Sequence, residues 1–114
     1  VVEIALAPRP DLSQQHGFVH AGVVATILDS ACGYAALTLA APGAQVLTVE
    51  YKVNFLSPAD GELLLARGEV KRAGRTVTVC SGDVLALRDG ERKPVATMLA
   101  TIMVIAARPD LTPR

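Results

Sequence analysis

Residues Gln14 to Leu39 read QQHGFVHAGVVATILDSACGYAALTL, and the fold turns on this stretch. It opens with two histidines and two glycines, then becomes apolar. From Val23 to Leu39 the spacing is helical. Val24, Ile27, Ala31 and Ala35 share one face, with Leu28 beside it. A second face, with Val23, Thr26 and Gly33 around Asp29, is small and partly polar, so the helix is expected to be covered on most sides. Its start is expected at His20-Ala21-Gly22, where small residues leave the first amides exposed. Pro42-Gly43 is the stop. From Ala21 to Leu39 such a helix is about 28 Å long. Asp29 is its one charged residue. An acid in so apolar a setting either does chemistry or is bonded to Ser30, Thr26 or a facing backbone group.

Strands lie on both sides of this helix. Val1 to Leu6 reads as a short strand ended by Pro8 and Pro10. Asp11 to Val19 reads as loop. Val46 to Leu56 alternates: Leu47, Val49, Tyr51, Val53 and Phe55 are expected on one face, and Thr48, Glu50, Lys52 and Asn54 on the other. Glu62 to Lys71, Thr76 to Leu87 and Val95 to Ile105 follow as strands. They are separated by turns at Ala73-Gly74 and at Asp89-Gly90, the latter a hairpin signal. The tail ARPDLTPR is expected to be loose. One long helix with an antiparallel meander is an α+β arrangement, in which strands of ten residues wrap a helix of similar length. The sheet edge must be protected, and pairing between subunits is one way to do it.

At 114 residues, 51% of them hydrophobic, the chain is expected to form a single domain over 1–114. Eleven basic and eleven acidic residues balance, which points away from nucleic acid and membrane surfaces as partners. Cys32 and Cys80 make neither a disulfide framework nor a metal cluster, and both read as core, so a reducing, cytoplasmic setting is expected. VVEIAL lacks a basic start and is not expected to be a signal peptide; without an initiator Met, chain upstream of it is expected.

The residues HAG at 20–22, ILD at 27–29, VEYKVNFLSP at 49–58 and the basic turn at 72–75 carry a resemblance. Together the chain resembles the hotdog-fold acyl-CoA thioesterases, in the group that includes the phenylacetate-degradation thioesterase. The family pattern is His-Gly-Gly followed by an acid nine residues after the His, and the likeness covers nearly the whole chain. It implies a hotdog fold and hydrolysis of an acyl-CoA to a free acid and CoA. No cofactor is then required, because CoA is part of the substrate. Asp29 matches the family's catalytic carboxylate, acting as general base or nucleophile. Ala21 matches the middle glycine, whose backbone amide polarises the thioester carbonyl. Gln14 matches a polar amide facing the reacting centre, and Thr48 a Ser or Thr that helps orient water. His20 is a further base candidate that the family keeps chiefly for structure. The active unit implied is a homodimer with shared sites, often doubled to a tetramer. Ala21 departs from the glycine pattern, yet an amide is all that the position must supply.

The same residues support this chemistry directly. Thioester hydrolysis places negative charge on the carbonyl oxygen, and a helix N-terminus offers free amides and a positive dipole end, here at Ala21 and Gly22. Asp29 lies about 12 Å further along the axis. It is too far to serve its own helix's amides, which favours an acid from a second, antiparallel copy. Lys71, Arg72 and Arg75 around Gly74 form a turn able to bind CoA phosphates, or else a solvated hairpin. Asn54 is a polar candidate near the site. No metal is expected, since His16 and His20 lack a third ligand. Two other readings remain: a hotdog dehydratase or hydratase using His20 and Asp29, and a non-catalytic acyl-CoA binding protein. Phe18, Val19, Leu56 and Met98 are candidates for the acyl-pocket wall.

Overall fold

The computed structural model describes residues 1–14 and 17–106. His16 and the loose tail expected at the C-terminus lie outside the described residues. The chain forms β1 (Val2–Leu6), a 3-10 turn (Pro10–Leu12), α1 (Ala21–Thr38), β2 (Gln45–Phe55), β3 (Leu63–Ala73), β4 (Val77–Arg88) and β5 (Glu91–Ile105). The strands make one antiparallel sheet in the order β1-β3-β4-β5-β2. The helix lies across one face of it. This is the α+β layer that the sequence implies.

The helix buries the stripe that its spacing defines. Val24, Leu28, Ala31, Cys32, Ala35 and Ala36 are closed off from solvent, and they meet Leu64, Val84, Met98 and Ile102 of the sheet. By length and hydropathy alone Ala21–Thr38 would pass for a membrane span. Its burial against the sheet gives it the role of a core helix. Burial pushes the Cys32 thiol up to about 12, and it raises the Cys80 thiol as well. Both cysteines are packing residues.

Two strand glycines seat the helix. Gly68 and Gly82 are cross-strand partners on β3 and β4. A Cβ on Gly68 would overlap the Ala31 carbonyl and the Cys32 amide, and one on Gly82 would come within 2.7 Å of Leu28 Cδ1. The helix backbone therefore rests directly on sheet backbone. Gly68→Ala is expected to cost about 3 kcal/mol, the upper end for overpacking, because the obstacle is main chain and cannot turn aside. A lowered urea midpoint at constant protein concentration, with an unchanged slope, is the expected reading. An unchanged midpoint would mean that the helix does not sit on this residue.

Two bulges depart from the expected pattern. In β2 the register with β5 slips between Thr48 and Glu50, so Val49 has no partner. Thr48 lies opposite the buried Ile102, and Tyr51 opposite the buried Ala100, so both face the helix. Leu47, opposite Met103, faces outward. The expected single face of Leu47, Val49, Tyr51, Val53 and Phe55 is thus split, because one inserted residue exchanges the faces. In β5 a second slip leaves Val95 between the pairs Val84–Ala96 and Leu85–Pro94. This bulge admits Pro94 into a strand that begins at Glu91 rather than at Val95. At the β4–β5 hairpin Asp89 and Gly90 both have positive φ, 50° and 77°, as a two-residue turn of primed type requires.

Candidate active site

The helix start is held by backbone. Val19 N–H donates to the Ala59 carbonyl at 3.0 Å and His20 N–H to the Leu12 carbonyl at 3.0 Å. Gln14 N–H donates to the Phe18 carbonyl at 2.7 Å, and Gly17, at φ 83°, makes the turn between them. His20 is the exposed N-cap residue. Its carbonyl accepts the amides of Val23 and Val24, and its side chain makes no capping bond. Among the described residues, the amides of Ala21 and Gly22 find no acceptor. Ala21 has a negative φ, so the departure from glycine leaves the amide in helical geometry. Both residues are exposed, and a Cβ on Gly22 would meet nothing. The site therefore begins with two free donors at the positive end of an 18-residue helix.

Asp29 is half-buried on the flank of the helix that faces β2. Its Oδ1 accepts a hydrogen bond of 2.7 Å from Thr48 Oγ1. Thr26, a local candidate partner, donates instead to the Gly22 carbonyl. The Thr48 contact exists because the bulge at Val49 keeps Thr48 on the helix side while the rest of β2 changes faces. Bulges that re-aim a side chain recur beside active sites. β2 is an edge strand, so the Asp29–Thr48 pair lies at an open margin of the sheet. Around that margin Tyr51, Phe55 and Leu56 are large apolar side chains about half exposed.

The remaining candidates are dispersed within one chain. Lys71, Arg72, Gly74 and Arg75 form the exposed β3–β4 turn, closed by a 2.8 Å bond from Gly74 N–H to the Val77 carbonyl. Among the described residues the three cations have no carboxylate partner within 4.0 Å. The turn borders a cavity of about 510 Å3 walled by Ala36, Ala40, Ala44 and Thr78. It therefore sits at the helix C-terminal end, the opposite end from Ala21. Asn54 pairs with Thr97 on the outer face of the sheet, away from Asp29 of the same chain. Val19 and Met98, offered as acyl-pocket wall, are core residues 4% and 3% exposed, so they are not open to a ligand. Phe18 does line an open cavity, of about 540 Å3, with Pro58 and Ala86. Among the described residues no three His, Cys, Asp or Glu side chains converge.

The helix laid on a five-stranded antiparallel sheet agrees with the comparisons with known proteins. The thioesterase superfamily model matches residues 16–93, and the chain belongs to that family. Its fold is the hotdog fold. A thioesterase family protein from Silicibacter pomeroyi is 53% identical, with a TM-score of 0.90 over 92% of this chain and 77% of that one. A Bacillus halodurans protein crystallised with CoA is 25% identical, with a TM-score of 0.84 over 93% and 68%. A phenylacetic acid degradation-related protein from Ralstonia eutropha is 30% identical, with a TM-score of 0.78 over 89% and 74%. Among curated relatives, a Halobacterium salinarum protein with a provisional esterase name is 40% identical over 75 residues, 64% of this chain and 49% of that protein. The chain spans about half the length of the curated relatives it matches.

Proposed function

We propose that the protein hydrolyses an acyl-CoA to a carboxylic acid and CoA at a site shared between two antiparallel copies. The observation that carries this is the Asp29–Thr48 pair, 2.7 Å apart and open at the sheet edge, in a helix whose first amides are free. One copy contributes the amides of Ala21 and Gly22, which hold the thioester oxygen. The other contributes Asp29. Thr48 occupies Oδ1 and leaves Oδ2 for water or for the carbonyl carbon. As general base, Asp29 takes a proton from the attacking water. The tetrahedral oxyanion then rests on the amides, the C–S bond breaks, and the thiolate leaves to be protonated. As nucleophile, Asp29 forms an acyl anhydride that water then cleaves. Gln14 precedes the amides in the chain and would line the same end, with His20 as the cap between them.

The antiparallel arrangement also accounts for the basic turn. Within one chain Arg75 and Ala21 lie at opposite ends of the helix. A twofold axis brings the partner's helix C-terminal end toward the first chain's N-terminal end, and with it a Lys71–Arg72–Arg75 turn for the CoA phosphates. The apolar margin of Tyr51, Phe55 and Leu56 along the unpaired β2 edge is the surface that such pairing would cover.

Release of free thiol from a panel of aromatic and aliphatic acyl-CoAs tests the reading, with turnover of one or a few expected. No turnover across the panel would replace hydrolysis with binding or with hydration chemistry. Thr48→Val is expected to lower kcat about 10-fold with KM little changed, because a hydrogen bond to a charged group is lost while substrate contacts stay. Unchanged kcat would show that Asp29 needs no help from Thr48.

A further inference from the structure

At the helix C-terminal end, away from Ala21, the fold leaves a second cavity. It exists because α1 ends at Thr38 and the chain turns back into β2 on small residues. Ala36, Ala40, Ala44 and Val104 wall a space of about 510 Å3, within the range of small-molecule pockets. Methyl walls give apolar contact without direction. Direction comes from Thr78, which faces the helix from β4, in line with Ala73 and the buried Ile102, and is 2% exposed. Among the described residues it is the one closed-off polar side chain, and its hydroxyl has no hydrogen-bond partner. Among the same residues every sealed polar side-chain atom is bonded, so this hydroxyl opens on the cavity it lines. A hydroxyl so placed leaves a hydrogen bond for an occupant to make.

We propose that this cavity binds a free apolar carboxylic acid with a hydroxyl at its far end, and that the bound acid inhibits the protein. Charge sets the orientation. Arg75 lines the cavity from the exposed turn and has no carboxylate partner within 4.0 Å among the described residues. The inner wall, with Ala36 in the last turn of α1, is the negative end of the helix. A carboxylate therefore stays at the mouth on the guanidinium, and the uncharged chain enters. The chain covers the methyl walls, and its terminal hydroxyl meets Thr78. The inhibition rests on the hydrolytic reading above. An acid on Arg75 occupies a cation proposed for the CoA phosphates, so substrate binding weakens while the chemical step is unchanged. An acid is also what that hydrolysis releases, so the cavity lets product restrain the reaction.

Isothermal titration calorimetry with octanoate and 8-hydroxyoctanoate tests the site without turnover. One site per chain is expected, with the hydroxy acid bound about 5-fold tighter for one added hydrogen bond. Thr78→Val keeps the shape and removes the hydroxyl. It is expected to abolish that preference and to leave octanoate binding unchanged. Ala40→Leu fills the cavity from a half-buried position outside the catalytic and CoA-binding candidates. It is expected to weaken both acids by about 10-fold or more, with thiol release in the absence of acid kept. In the native protein either acid is expected to raise KM and leave kcat unchanged, and Ala40→Leu to remove that inhibition. No binding of either acid by the native protein would overturn the proposal. Native affinity kept in Ala40→Leu would also overturn it, because the acid would then sit in the acyl pocket of the shared site. Binding that Ala40→Leu abolishes, in a protein that turns over no thioester, would support the cavity site and contradict the hydrolytic reading alone.

Discussion

Asp29→Asn is expected to lower thioester hydrolysis by about 10³-fold or more, the range for loss of a positioned general base. The amide is isosteric, and its carbonyl oxygen still accepts from Thr48 Oγ1. Packing is untouched, because Asp29 is only half-buried and its flank faces the open edge of β2. What disappears is the charge that, in the proposed mechanism, takes a proton from water or attacks carbon. The loss should fall on kcat, with KM nearly constant and the thermal midpoint preserved. Activity within a few-fold of the native protein would remove Asp29 from the chemistry and return it to a purely structural role.

Ala21→Pro is expected to cost about 10²–10³-fold in kcat, as for loss of one oxyanion donor, or roughly 3–4 kcal/mol. The substitution is selective for geometric reasons. Ala21 is the first residue of the helix, where proline is well tolerated. His20 before it has φ −56° and ψ 140°, a conformation that a residue preceding proline readily adopts. The Ala21 amide has no acceptor among the described residues, so no protein hydrogen bond is lost. Proline therefore deletes one N–H and little else. Full activity in this variant would place the oxyanion donors elsewhere. An intact circular dichroism spectrum separates lost chemistry from a lost helix.

Much of this was legible in the chain. The helix follows from the spacing of Val24, Ile27, Ala31 and Ala35 with Leu28 beside them, and of these only Ile27 is left partly exposed. The Asp89-Gly90 hairpin followed from local turn chemistry. The faces of β2 did not, because the bulge at Val49 is decided by register against β5, about fifty positions later, and alternation alone passes over it. Pro94 hides the first residues of β5, from Glu91, for the same reason: its tolerance depends on the bulge at Val95. Gly68 and Gly82 read as scattered glycines until the helix lay across them. At the candidate site, the helix start at His20-Ala21-Gly22 and the lone acid Asp29 on the helix are legible from residue type and spacing, and the structure places them there, while their roles come from the family likeness. Thr48 was placed by family likeness alone, and the alternation pattern had put it on the wrong face to reach the acid.

The central claim is that one copy's helix amides act with the other copy's Asp29. Mixing the two inactive variants tests it most directly. Asp29→Asn and Ala21→Pro chains, refolded together in equal amounts, form mixed dimers in which one site carries both defects and the other carries neither. Thiol release is then expected to return to about a quarter of the native rate, since about half of the dimers are mixed and each has one intact site of two. A mixture no more active than its separate components, with mixed dimers shown by mass, would contradict a shared site and place all of the chemistry within one chain.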